Sequence, residues 1–206
     1  MRENNIVYHS LRIIFKILVL VLFRGSIKGS VPRGGAVICA NHLSNLDPPV
    51  IGAISTKPIH FMAKKELFSN PLFRALIRAL NGFPVNRAFF DRKAFRRAIA
   101  LADSGKNIAV FPEGTRNKSG TDKIGDIKRG VSYLIYHTSV PVIPVFISGT
   151  NRWGRLGRIR IRIGDAIDLP ERKMPYTRET AESICGKIKS ALERTGNACL
   201  PDRQGA

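Results

Sequence analysis

From Ile6 to Phe23 the chain reads IVYHSLRIIFKILVLVLF, and its most apolar stretch, Ile13 to Phe23, is broken only by Lys16. That stretch of 11 residues falls short of the about 20 mainly apolar residues needed to cross a bilayer, and suits a helix lying in the interface. Arg2, Arg12, Lys16, Arg24 and Lys28 flank it, which favours membrane contact over a helix packed into a core. A secretory signal would share the basic start and apolar middle, but Phe23-Arg24-Gly25-Ser26 carries no small-x-small cleavage site.

Beyond Gly34-Gly35 short apolar runs alternate with amphipathic ones. Strands are predicted over Ala36–Ala40, Pro58–Ala63, Phe83–Val85, Asn107–Phe111 and Val140–Ile147. Helices are predicted from Pro48, over Lys65–Leu80, over Asp91–Ala102 with Ala94, Phe95, Ala98 and Ile99 on one side, over Ile127–Thr138 and over Thr177–Arg194. Asp47 before Pro48 reads as a natural N-cap. Arg158–Ile163 spells RIRIRI, a period-2 strand with one solvated face, most simply at a sheet edge. The last dozen residues read as a frayed tail. Strands alternating with helices predict an α/β fold, a central mixed β-sheet flanked by helices, with the N-terminal interfacial helix in addition.

Composition leaves that picture intact: 206 residues, 44% apolar and 24% charged, suit one globular domain with an appendage. Charge changes it. With 34 Lys and Arg against 15 Asp and Glu the net charge is +19, so nucleic acid, an anionic membrane face and acidic carrier proteins are all candidate partners. Three dispersed cysteines, Cys39, Cys185 and Cys199, form no disulfide framework and point to a reducing compartment. No two His or Cys residues sit at metal-ligand spacing, so no metal site is expected.

Reactive side chains gather where predicted strands end, which is where open α/β sheets build their sites. Asn41-His42-Leu43-Ser44-Asn45-Leu46-Asp47 is the first such place. His42 and Asp47 would point about 140° apart on a regular helix, so they meet only if the loop turns back. A carboxylate on one imidazole nitrogen would then leave the other as a general base for a substrate hydroxyl. Read alone, the segment equally allows a capping Asp47 and an unremarkable loop histidine. Phe111-Pro112-Glu113-Gly114-Thr115-Arg116-Asn117 is the second place, with Gly114 for close backbone approach and Arg116 for an anion. Arg87 and Lys64 stand at two further strand ends.

Together these segments resemble the glycerolipid acyltransferase family, most closely its bacterial 1-acyl-sn-glycerol-3-phosphate acyltransferases. NHLSNLD at 41–47 is similar to the family's His-x4-Asp block, GFPVNR at 82–87 to its Gly-plus-Arg block, and FPEGTRN at 111–117 and VPVIPV at 140–145 to the other two, in the family's order. PIHFMAKKELF at 58–68 is similar to the segment between the first two. The resemblance implies an acyltransferase in phospholipid biosynthesis, with His42 as general base and Asp47 as its orienting carboxylate. It places Arg87, Gly114, Thr115 and Arg116 in acceptor binding and makes Lys64 a phosphate ligand. Glu113 either orders its loop or bonds the glycerol, and the fourth block, with Pro141 and Pro144, is expected to shape the acyl pocket. GFPVNR departs from many members by having Pro84-Val85-Asn86 before the arginine.

The implied reaction moves an acyl group from acyl-CoA or acyl-carrier protein to the 2-hydroxyl of lysophosphatidic acid, without metal or other cofactor. The implied location is the cytoplasmic face of the cell membrane, as a peripheral or monotopic protein on an anionic surface. Residues 1–28 would be the membrane-contacting segment, 29–195 the catalytic α/β body and 196–206 the tail. Another lysolipid acceptor is the nearer alternative. A nucleic-acid module, motivated by +19 and RIRIRI, is disfavoured by one Trp, four Tyr and the absence of a stacking motif.

Overall fold

The computed structural model describes residues 6–117, 119, 121–155 and 158–200. Arg2 and the tail from 201 onward, expected to flank a membrane helix and to fray, lie outside the described residues, as does the side chain of Trp153.

The chain opens with α1 (Ile6–Ile17), continues as one π-helical stretch, Leu18–Leu22, and turns sharply. The turn is made by Arg24 in the left-handed region, φ 44°, and by Gly25, where a Cβ would lie 2.5 Å from the Val19 carbonyl oxygen. It delivers β1 (Ser26–Lys28) to the sheet. There follow β2 (Val37–Ala40), α2 (Asp47–Ile54), β3 (Ile59–Lys64), α3 (Pro71–Ala79), β4 (Gly82–Val85), α4 (Arg92–Asp103), β5 (Asn107–Val110), α5 (Arg129–Tyr136), β6 (Val142–Ser148), β7 (Arg160–Ile163) and α6 (Arg178–Cys199).

Seven strands form one sheet in the order β1-β7-β6-β2-β5-β3-β4. The five strands β2 to β6 are mutually parallel, whereas β7 runs antiparallel to β6 and carries β1 parallel to itself. The sheet is thus mixed, as expected. Parallel strands need helical crossovers that cover both faces, and β2, β5 and β6 are buried along their whole length. One face packs under α4, α5 and α6 through Ala98, Leu134, Ile184 and Ile188. The other packs under α2 and the π-helical stretch through Val50, Ile51 and Val19.

Three expectations need correction. RIRIRI does alternate, with Ile161 and Ile163 buried and Arg160 and Arg162 half-buried, but it is not an edge strand. The three-residue β1 covers it, so part of the segment expected to serve the membrane belongs to the sheet. The long helix over 65–80 is split into a short 3₁₀ turn at Lys65–Phe68 and α3, because Asn70 caps Leu72 and Phe73 and Pro71 opens a new helix. The C-terminal helix runs to Cys199 rather than Arg194. The expected N-terminal helix is present as α1, and it both packs and remains exposed. Tyr8 is buried with its hydroxyl accepting from Ile59 N–H at 2.9 Å, and Arg12 donates to the Ser55 carbonyl, while Ile6, Ile13, Ile14 and Ile17 face outward.

Candidate active site

Because β2 to β6 share a direction, the segments that follow them emerge along one edge of the sheet, and every candidate residue from the sequence lies there. The first segment is pinned by Asn41, whose buried carboxamide donates to Ile147 C=O at 2.8 Å and accepts from Ile147 N–H at 2.7 Å. That pair of bonds ties the end of β2 to β6 where a further residue of strand would have done so.

After Asn41 the backbone turns back on itself, and His42 Nδ1 lies 2.8 Å from Asp47 Oδ2. The same oxygen accepts from Leu43 N–H at 2.6 Å and Ser44 N–H at 2.7 Å, and Oδ1 accepts from the Thr150 hydroxyl at 2.6 Å. Asp47 is fully buried, whereas the His42 side chain keeps 12% exposure. An ionised carboxylate only accepts, so Nδ1 carries the proton in this pair and Nε2 of the neutral ring holds a lone pair. Asp47 is therefore not the N-cap of α2. It is the first residue of the helix, Leu46 occupies the cap without a side-chain bond, and the carboxylate reaches backward instead.

The Phe111 ring stacks on His42 with centroids 4.0 Å apart. Glu113 is buried, with Oε1 accepting from His42 N–H at 3.0 Å and Oε2 from Gly125 N–H at 2.9 Å. Asn117 N–H adds a 2.7 Å bond to His42 C=O. Both Glu113 oxygens thus hold loops around the histidine. Gly114 turns in the left-handed region, φ 74°, and its carbonyl accepts from Arg87 Nη1 at 2.8 Å. Thr115 and Arg116 point to solvent, and no bond of Arg116 within the described residues restrains it.

Arg87 is steered by Asn86 and Asp91: Asn86 N–H donates to Asp91 Oδ2, and Asn86 Oδ1 accepts from Ala88 N–H. Desolvation lowers the Arg87 pKa, with Glu66 opposing it. Glu66 also stands 4.0 Å from Lys64 Nζ, and Lys64 pairs with Val85 across β3 and β4. The sheet therefore brings His42, Asp47, Glu113 and Gly114 into one bonded unit with Arg87 attached, and places Lys64 and Arg116 on the same edge without a bond to that unit.

Pro141 and Pro144 have their bonds within the sheet, Pro141 C=O accepting from Val37 N–H and Pro144 C=O from Gly164 N–H. Asn41, Phe111 and Thr150 are parts of the site that motif reading passed over. The first two flank or lie within the quoted blocks, but Thr150 is 103 residues from Asp47 and carries no local signal beyond following a buried strand. The cysteines are poor nucleophiles, since burial pushes the Cys39 thiol up to about 12 and also raises Cys185 and Cys199.

Known proteins resemble this chain in sequence and in fold. The chain is 28% identical over 158 residues to the 1-acyl-sn-glycerol-3-phosphate acyltransferase of Bacillus subtilis, covering 72% of this chain and 77% of that protein. It is 30% identical over 164 residues to the enzyme of the same name from Streptococcus pneumoniae, covering 77% of this chain but 59% of the relative. The crystal structure of the 1-acyl-sn-glycerophosphate (LPA) acyltransferase PlsC from Thermotoga maritima superposes with a TM-score of 0.68 at 29% identity, over 91% of this chain and 78% of that one. The model of the family described as Acyltransferase matches residues 24–148, well over half of the chain and all four motif blocks up to β6. The chain belongs to the Acyltransferase family.

Proposed function

We propose that this acyltransferase moves a fatty acyl group from an acyl thioester, acyl-CoA or acyl-carrier protein, to the 2-hydroxyl of 1-acyl-sn-glycerol-3-phosphate, giving phosphatidic acid. The observation that carries the reading is the His42–Asp47 pair on a fully buried, fourfold-bonded carboxylate. His42 Nε2 takes the proton of the acceptor hydroxyl as its oxygen attacks the thioester carbonyl. The tetrahedral intermediate collapses, the C–S bond breaks, and the imidazolium returns the proton to the leaving thiolate. Asp47 holds the tautomer and stabilises the imidazolium in between. No enzyme nucleophile is required, and Glu113 acts by ordering the loop rather than by touching the glycerol.

Arg116, Arg87 and Lys64 supply cations for the acceptor's phosphate along the same edge. Exposed apolar side chains support a lipid acceptor drawn from a membrane: Ile13, Ile14, Ile17 and Val21 in the N-terminal helical segment, and Leu67, Leu72, Phe73 and Phe89 in and around α3. Among the described residues no helix is long and apolar enough to cross a bilayer, so the contact we infer is interfacial. Three free thiols favour the cytoplasmic face.

The test is acyl transfer to lysophosphatidic acid by purified His42→Ala and Asp47→Asn proteins, with both donor types and other lysolipids run in parallel. Each variant should lose about 10²–10⁴ in turnover with folding preserved. Near wild-type turnover would overturn the assignment, and an equal or faster rate with another lysolipid would move the acceptor.

A further inference from the structure

A cleft of about 340 Å³ opens at the β1 end of the sheet. Its walls include Arg24, Lys28, Arg158, Arg160, Arg162 and Cys199, and no carboxylate. The strand register creates it: Ser26 lies opposite Arg160 and Lys28 opposite Arg162, so these four share one face while Ile27, Ile161 and Ile163 pack into the core on the other. The end of α6 closes the cationic side. Among the described residues none of the five cations is ion-paired.

Cys199 reports how close the charges are. Burial raises its thiol pKa, while Arg160, Arg162 and Lys28 all pull it down. Asp122, the carboxylate it also senses, is buried and engaged by the Ser148 hydroxyl at 3.1 Å. Lys28 lies directly opposite Arg162, and like charges so placed on neighbouring strands destabilise a sheet unless an anion lies between them. Neither residue belongs to the His42–Asp47 unit.

We propose that the cleft is a binding site for the phosphate of an anionic phospholipid headgroup, separate from the acceptor's position at the catalytic edge. The inference rests on the membrane-facing part of the proposed function. Chain continuity selects a lipid, because the exposed apolar residues Leu20, Val21 and Leu22 end just before Arg24. An apolar stretch that enters the bilayer thus leaves Arg24 and its neighbours at headgroup depth. A volume of about 340 Å³ is ample for a phosphate headgroup. Guanidinium forks supply the bidentate donors that phosphate oxygens accept.

The experiment is co-sedimentation of the full chain with phosphatidylcholine vesicles, with and without phosphatidylglycerol, alongside acyl transfer to detergent-dispersed lysophosphatidic acid. The double variant Arg160→Gln/Arg162→Gln should bind the anionic vesicles about thirtyfold more weakly, about 1 kcal/mol for each cation removed. It should bind neutral vesicles as the wild type does and keep its turnover in detergent. Lys93→Gln/Arg96→Gln, two exposed cations of α4, controls for net charge, and an equal loss from this pair would overturn the proposal. Arg24→Gly removes a cation while easing the backbone, so weaker anionic binding by a protein at least as stable supports the site independently of folding. Unchanged vesicle binding with a raised KM for the acyl donor would assign the cleft to the donor and overturn the lipid. If wild-type protein in detergent transfers no acyl group, the proposed function fails, whatever the vesicles show.

Discussion

Four donors from two distant parts of the chain converge on the Asp47 carboxylate, and the least obvious of them is Thr150. Among the described residues its hydroxyl is the sole partner of Oδ1, so Thr150→Val leaves that buried oxygen without this bond while keeping the side chain's shape. Removing a partner from a buried charged group costs about 1–3 kcal/mol, and we expect a urea midpoint lowered accordingly. The imidazole would also be less well oriented, so kcat should fall about tenfold with KM for the acceptor little changed, since a misplaced base affects the transition state more than binding. An unchanged kcat would mean that Thr150 only supports the fold. At this scale the sequence was informative about residue types and blind to partnerships. It identified His42 and Asp47 at a strand end, yet read Asp47 equally well as a cap, because nothing near position 47 announces a hydroxyl arriving from position 150.

Among the elements, α4 is the one whose start bears on the site. Its N-cap, Asp91, accepts from Ala94 N–H at 3.1 Å and from Asn86 N–H at 2.9 Å, so one carboxylate both caps the helix and fixes the turn carrying Arg87. Those bonds, Asn86 first and then Ala94, hold the Asp91 pKa below the usual aspartate value. A lowered folded-state pKa means that the stabilisation is fully present above the unfolded value of about 3.9 and is lost as pH falls through the folded one. Asp91→Ala should therefore cost about 1 kcal/mol at neutral pH, and the difference from wild type should shrink below about pH 4 in urea titrations. With Arg87 less constrained, KM for a phosphate-bearing acceptor should rise. Two helix starts were legible here because capping is local: Asp91 and Thr177 each precede their helices by one residue. The split of the helix expected over 65–80 was equally local, written in Asn70-Pro71, but the apolar periodicity across it masked the break.

For the molecule as a whole, the N-terminal segment is both scaffold and surface. Removing residues 1–28 would strip β1 from β7 and take away the buried Tyr8, Val19 and Phe23, so such a truncation tests stability as much as membrane contact. Ile14→Ser, Ile17→Ser and Val21→Ser combined separate the two, because all three side chains are exposed and surface changes of this kind stay within about 0.5 kcal/mol of neutral each. The triple variant should melt close to wild type yet bind vesicles about tenfold or more weakly whether or not they are anionic, since partial burial of three such chains contributes more than about 1.4 kcal/mol. Retained binding to neutral vesicles would exclude α1 as the contact. This signature differs from that of the cationic cleft, whose loss affects anionic vesicles alone.

What the sequence determined by itself is what rests on local periodicity and residue chemistry. The alternation of strands and helices, the strand ends where His42, Arg87 and Glu113 stand, and the excess of cations are all readable within a few residues of each position. The tertiary structure decided what depends on contacts across the chain. It ties Asn41 to Ile147 and Asp47 to Thr150 over more than a hundred residues, places β1 outside RIRIRI, and gathers five of the dispersed cations into one cleft. A side chain's periodicity is set by its neighbours in sequence, whereas its partners are set by which strands lie side by side, and only folding the sheet makes that choice.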